Sequence, residues 1–116
     1  MTTQTDRLAE FVMNATDRDL DYWWESHMYH NGDPVPRGTG ALSWSTDRRL
    51  RHVIEDRVEK AGVEHAYICH LGVMRRDPTG EAILWHCLRA QPRQYILAAA
   101  RALGIEAPDR EGVRRD

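Results

Sequence analysis

The sequence VEHAYICHLGVMRRDPTGEAILWHCLRA, residues 63–90, predicts a β-hairpin. Its two apolar runs, Val63 to Met74 and Ala82 to Ala90, are separated by Asp77-Pro78-Thr79-Gly80-Glu81. That loop has proline where a type I turn favours it and glycine at the left-handed position that closes a three-residue hairpin. Because both faces of the paired strands are apolar, we expect the sheet to be covered on both sides, most simply by helices.

Helical patterns precede and follow the hairpin. Apolar residues recur at the spacing of an amphipathic helix in residues 5–15, 16–28, 50–61 and 92–103. In the second of these ranges, Tyr22-Trp23-Trp24 would also suit a strand. Thr16 is the predicted N-cap of the second helix, Gly62 and Gly104 end the last two, and Ala41 to Trp44 is a further short strand. The predicted fold is α+β in the order α-α-β-α-β-β-α, a small three-stranded, largely antiparallel sheet sandwiched by helices. One domain spans residues 1–104, and residues 105–116 form a polar C-terminal tail.

The composition is that of one globular domain. The chain has 116 residues, of which 41% are apolar and 29% charged. Residues 1–6 lack the basic-then-apolar pattern of a secretory signal, and no apolar stretch is long enough to span a membrane. We therefore expect a soluble cytoplasmic protein in which Cys69 and Cys87 are reduced. The net charge of −2 argues against a general nucleic-acid binder.

The negative charge is concentrated near the N-terminus. Residues 1–35 contain seven acidic residues and two arginines, which gives −5, so the remainder of the chain carries +3. Such a region is most often a solvated face, and otherwise a surface that binds a basic partner. The candidate partner surface consists of Asp17, Asp19, Asp21, Trp23, Trp24 and Glu25. Because helical neighbours diverge by about 100°, we expect one tryptophan in the core and the other near its edge, as an interface anchor.

The C-terminal half resembles a known family. Ser45-Thr46-Asp47, an amphipathic helix, a two-strand meander and Ala90-Gln91-Pro92 precede an Ile- and Ala-rich helix that ends at Gly104. This order, over residues 41–104, is similar to the phage ABA-sandwich domain family. The resemblance implies helices around a short antiparallel sheet and a phage or prophage origin. It implies no catalytic residues.

Histidine and cysteine are the candidate metal ligands and nucleophiles. The predicted hairpin register places His70 and His86 on one face of the sheet and Cys69 and Cys87 on the other, which excludes a single Cys₂His₂ zinc site. Cys69 and His70 cannot form a dyad in a strand, since adjacent side chains point to opposite faces. We expect no metal, cofactor or catalytic residue. The alternative is a histidine- or metal-dependent enzyme that uses His70 and His86.

These features predict a small phage- or prophage-encoded accessory protein that acts by stoichiometric protein binding. An acidic surface suits an inhibitor of a host defence complex, such as a CRISPR effector with a basic nucleic-acid channel. The expected partner is a host protein or protein–RNA complex with a basic surface, with no membrane and no direct nucleic-acid binding. A virion structural accessory subunit is a further alternative, and the sequence leaves the oligomeric state open.

Overall fold

The computed structural model describes residues 3–72 and 89–108. The helices in these residues are α1 (Thr3–Asn14), α2 (Asp17–Tyr29), a 3₁₀ helix (Arg48–Leu50), α3 (Arg51–Ala61), α4 (Glu64–Gly72) and α5 (Pro92–Leu103). No strand occurs in these two ranges, so the predicted α+β class and the ABA-sandwich architecture are wrong for the part of the chain that is described. None of these helices is long and apolar enough to cross a membrane.

Most of the predicted first strand of the hairpin is a helix, α4, over residues 64–72. Tyr67 and Leu71 lie four residues apart on its buried side, and Val63 precedes them by four more. Ile68 and Cys69 lie on the exposed side. The helix packs against α3 and α5, which bury the Tyr67 and Leu71 stripe. A short apolar run fits a strand or a helix equally well, and here packing at a period of 3.6 residues selects the helix.

The other predicted strand, Ala41 to Trp44, is an irregular segment that ends in a turn. The N–H of Trp44 donates to the carbonyl of Leu42 within the segment, and two other backbone N–H groups donate to α2. The N–H of Leu42 donates to Glu25, and the N–H of Ser45 donates to Asp21. Buried or half-buried backbone donors need an acceptor, and the α2 carboxylates supply it without a sheet.

The predicted hairpin loop and the return strand fall largely outside the described residues. Only Arg89 and Ala90 of the return segment lie within them, immediately before α5. The first residues of the predicted tail do fall within the described part. Ile105 and Ala107 are partly buried against the core, and the N–H of Ile105 donates to the carbonyl of Ala100.

The helix boundaries predicted from capping residues are confirmed. The Thr16 side chain accepts a hydrogen bond from the N–H of Asp19 at the start of α2. Gly62 and Gly104 adopt the left-handed conformation after α3 and α5, with φ of 74° and 75°. Pro92 begins α5, where its missing N–H removes no helical hydrogen bond.

Helix α5 forms the centre of the fold. It contacts α1, α3 and α4, and it is apolar over most of its circumference. Six consecutive residues of α5 are buried: Tyr95, Ile96, Leu97, Ala98, Ala99 and Ala100. The core continues through Val12 of α1, Ile54 and Val58 of α3, and the large side chains of Trp24 and Trp44. Helix α2 and the segment that contains Trp44 therefore supply two of the largest fully buried side chains of the core.

Candidate interface on helix α2

The candidate site is one side of helix α2 together with the segment that follows it. Tyr22, Glu25 and Tyr29 are spaced by three and four residues, so they share this side of the helix. Residues 42–45 lie along it, with Leu42 beside Glu25 and Ser45 beside Asp21. We refer to Tyr22, Glu25, Tyr29 and residues 42–45 as the α2 face.

Glu25 lies at the centre of the α2 face. It is 7% exposed, and its Oε1 accepts hydrogen bonds from the indole Nε1 of Trp44 at 2.7 Å and from the N–H of Leu42 at 3.1 Å. A buried carboxylate is tolerated when such donors replace its lost hydration. Glu25 therefore anchors residues 42–45 to α2 and does not present its carboxylate to solvent.

Asp21 holds the same segment one turn earlier in α2. Its Oδ1 accepts a hydrogen bond of 2.6 Å from the N–H of Ser45. Burial raises the pKa of Asp21 above its usual range, and the hydrogen bond from Ser45 opposes that rise. The carboxylate is thus used inside the protein, although it is less buried than Glu25.

Both tryptophans of α2 belong to the core. Trp24 is fully buried, and Trp23 is 8% exposed. The ring of Trp23 makes an edge contact with Phe11 of α1 at a centroid distance of 5.0 Å and with His27 at 5.2 Å. Because Phe11 and His27 pack against Trp23, neither tryptophan is exposed as the interface anchor that the sequence suggested.

The remaining predicted acids lie nearer to solvent. The side chain of Asp17 is 62% exposed, and its Oδ1 pairs with Arg93 at 2.8 Å. The Arg93 guanidinium also donates to the carbonyl of Val12, so it joins the end of α1 to the start of α2. Asp19 is half-buried. Of the six predicted partner-surface residues, Trp23, Trp24 and Glu25 are thus interior, and Asp17, Asp19 and Asp21 reach the surface to different degrees.

Three large apolar side chains form an exposed rim around Glu25. Tyr29 is 55% exposed, Leu42 45% and Tyr22 36%. Tyr29 packs its ring against Trp44 at 6.2 Å, and Arg18 lies over the ring of Tyr22 at 5.3 Å. The sequence prediction missed this rim because it assigned Leu42 to a strand and left Tyr22 and Tyr29 out of the candidate partner surface. The three-and-four spacing of Tyr22 and Tyr29 about Glu25 is the signal that would have identified it.

Comparisons with protein families, curated proteins and solved structures found no match. The chain's function is therefore inferred from its own residues. Two further groups of polar side chains lie outside the α2 face, the first on the exposed side of α4 and the second, half-buried, between α3 and α4.

Histidine and cysteine are arranged differently from the prediction because α4 is a helix. The Sγ atom of Cys69 lies 3.6 Å from Nε2 of His65, one turn earlier, and both side chains are exposed. His70 is half-buried on the same helix, whereas His86 and Cys87 lie outside the described residues. The predicted separation of cysteine from histidine across a sheet does not apply to α4. Among the residues described, no three metal-binding side chains come together.

A second polar group connects α3 to α4. Oε2 of Glu55 accepts from Arg51 Nε and from the Tyr67 hydroxyl, each at 2.8 Å. Burial raises the pKa of Tyr67 far above its usual range, and the Glu55 carboxylate adds to the effect. The Tyr95 hydroxyl of α5 is buried and has no hydrogen-bond partner among the described residues, and Arg51 lies 5.0 Å from the centre of its ring. Since these groups lie between packed helices and contact one another there, we assign them a structural role.

Proposed function

We propose that this chain acts by stoichiometric binding of a basic protein surface through the α2 face. The observation that carries the proposal is the exposed rim of Tyr22, Tyr29 and Leu42 around a buried carboxylate. Tyrosine is enriched at protein interfaces because it provides a large contact area with a polar end. These two tyrosines and Leu42 are 36% to 55% exposed, and they lie on one side of α2 and of residues 42–45.

The charge around the rim favours a basic partner. Residues 1–35, which include all of α2, carry −5, although Glu25 is buried and Arg18 lies over the Tyr22 ring. Asp19 precedes Tyr22 by one turn, and the exposed Asp33 follows the C-terminal end of α2. Carboxylates at the rim accelerate the encounter with a basic surface and contribute less to the lifetime of the complex. We therefore assign the rate of encounter with the partner to the rim carboxylates, and the main contact area to Tyr22, Tyr29 and Leu42.

The α2 face is held in place before any partner binds. Glu25 and Asp21 fix residues 42–45 through hydrogen bonds of 2.6 to 3.1 Å. Arg57 of α3 donates to the carbonyls of Met28 and His27, which ties down the C-terminal end of α2. A surface that is already ordered loses less conformational entropy on binding.

The proposed setting is the cytoplasm of a bacterial host, with a host protein or protein–RNA complex as the target. A CRISPR effector complex is the finer proposal, because its nucleic-acid channel is basic and an acidic protein would compete for it. The phage origin stays a proposal as well. Its support is the resemblance in residues 41–104, although the described part of that range lacks the sheet that the resemblance implied.

The test compares one double variant with a matched control. Tyr22→Ala/Tyr29→Ala removes the exposed rings, whereas Met13→Ala removes a side chain of α1 that is 46% exposed and lies outside the α2 face. Each immobilised protein is incubated with bacterial lysate, retained proteins are identified, and a purified candidate is titrated calorimetrically. We expect a 1:1 complex with a basic protein, unchanged in Met13→Ala and weakened at least about tenfold in the double variant.

Charge is tested separately from contact area. Asp17 and Asp21 have partners within the chain, so reversal to lysine is confined to Asp19 and Asp33. Asp19→Lys/Asp33→Lys should slow association, and added salt should reproduce the effect on the wild type. A complex whose affinity is insensitive both to the tyrosine variant and to salt would refute the proposal.

A further inference from the structure

The exposed side of α4 carries two potential metal ligands one turn apart. His65 and Cys69 are at positions i and i+4, and Nε2 and Sγ lie 3.6 Å apart. Both side chains are exposed, and Ile68, which is 56% exposed, lies beside them. This side of α4 is separate from the α2 face, so a role for these two ligands is independent of the proposed function.

The distance between the two atoms suits a tetrahedral metal. Zinc binds histidine nitrogen at about 2.0–2.1 Å and cysteine sulfur at about 2.3 Å, and two such ligands at a tetrahedral angle lie about 3.6 Å apart. The observed separation is 3.6 Å. The two side chains could therefore bind one Zn²⁺ with little rearrangement of either.

Two ligands do not complete a structural zinc site, which needs four. Within residues 3–72 and 89–108 no third histidine, cysteine or carboxylate joins the pair. A second copy of the chain, related by a two-fold axis through the metal, would supply the same two ligands and complete a Cys₂His₂ set. Ile68 would lie at the contact, where the partner's helix would bury it.

We propose that His65 and Cys69 form half of a zinc site that joins two copies of this chain through α4. Because the described residues of one copy supply only these two ligands, zinc binding and self-association depend on each other in this proposal. One Zn²⁺ binds per two chains. Binding releases the thiol proton of each Cys69 to solvent, since the metal takes the thiolate.

The experiment measures mass in solution as ZnCl₂ is added to the full chain under a non-thiol reductant. We expect the mass to double, with half an equivalent of zinc bound per chain, and EDTA to reverse the change. Cys69→Ser and His65→Gln should each abolish the doubling at the same zinc concentration. Circular dichroism checks that both variants remain folded, as expected for two exposed positions.

Matched controls separate this site from other thiols and imidazoles. His52→Gln, at an exposed histidine of α3, and Cys87→Ser should each retain the zinc-dependent doubling. Three results would overturn the proposal. These are no zinc-dependent change in mass, one zinc per chain without a change in mass, and loss of the doubling in Cys87→Ser.

Discussion

The carboxylate of Glu25 in α2 accepts a hydrogen bond of 2.7 Å from the indole nitrogen of Trp44, nineteen residues later, and both side chains are buried. This contact couples the core to the candidate interface. Trp44 is fully buried in the core, and Tyr29 of the exposed rim lies against its ring. Disturbing Glu25 should therefore destabilise the fold and disorder the exposed rim together.

The first prediction concerns Glu25 itself. Glu25→Ala leaves the indole N–H of Trp44 and the backbone N–H of Leu42 without their acceptor. We therefore expect a loss of about 2–4 kcal/mol in the free energy of unfolding. Glu25→Gln retains a carbonyl acceptor and should lose no more than about half of that. Urea denaturation of both variants tests this. A loss in Glu25→Ala that persists unchanged in a Trp44→Phe background would show that the two side chains are not coupled.

The second prediction concerns Asp21. Because burial raises the pKa of Asp21, its ionised form is disfavoured in the folded protein. Asp21→Asn keeps an oxygen for the N–H of Ser45 and removes the charge, so we expect stability at neutral pH to be unchanged or increased. Asp21→Ala should lose about 1–2 kcal/mol, because the N–H of Ser45 is left without its acceptor. If Asp21→Asn is as unstable as Asp21→Ala, the charge itself is required.

The pKa of Asp21 also predicts the direction of a pH dependence. A folded-state pKa above the unfolded value means that the folded protein binds the proton more tightly. The penalty on the ionised form is therefore relieved as pH falls through the folded pKa. Relative to the wild type, Asp21→Asn should lose its advantage in acid. An advantage that is constant over the whole acidic range would contradict this assignment.

The third prediction concerns His27. Its half-buried ring lies against Trp23, and burial, with a further contribution from Arg57, lowers its pKa below the ordinary value. The unfolded chain therefore binds a proton at His27 more readily than the folded protein does. The contribution of neutral His27 to the free energy of unfolding is full above the ordinary pKa of about 6.5 and is lost as pH falls below it. Denaturation curves between about pH 8 and about pH 5 should show a smaller decline in His27→Gln than in the wild type. Equal slopes in the two proteins would exclude His27 as a source of the dependence.

The fourth prediction concerns the two adjacent tryptophans. Since both are buried, Trp23→Ala and Trp24→Ala should each cost about 3–5 kcal/mol of stability. Tyr29→Ala serves as the comparison, because its side chain is 55% exposed and should cost less than about 1 kcal/mol. Thermal and chemical denaturation measure all three. A loss below about 1 kcal/mol in Trp23→Ala would restore it as a candidate surface anchor.

The sequence predicted helix ends correctly where one residue type strongly favours a capping position. Thr16 before two aspartates, Gly62 and Gly104 after apolar stripes, and Pro92 at a first helical turn each marked a helix end that the structure confirms. These features depend on one residue's backbone preference or one side-chain oxygen. They need no knowledge of distant residues.

The strand predicted at residues 63–74 shows that local sequence does not distinguish helix from strand in a short apolar run. Tyr67 and Leu71 suit a helical stripe, but Ile68 and Cys69 are also apolar, so neither a period of 2 nor a period of 3.6 stands out. Helices α3 and α5 decide the outcome by burying Tyr67 and Leu71 and leaving Ile68 exposed. The same change brings His65 beside Cys69, which a strand would not do.

The candidate interface divides in the same way. The sequence by itself determined that α2 is acidic and aromatic, because composition and helical spacing are properties of consecutive residues. Only the tertiary structure decided which of those residues face solvent. Helix α1 covers Trp23, and residues 42–45 cover Glu25, while Tyr22 and Tyr29 stay at the surface. Burial depends on which distant segment packs against a helix. That packing depends on the shapes of all the core side chains together, because the interior is close-packed.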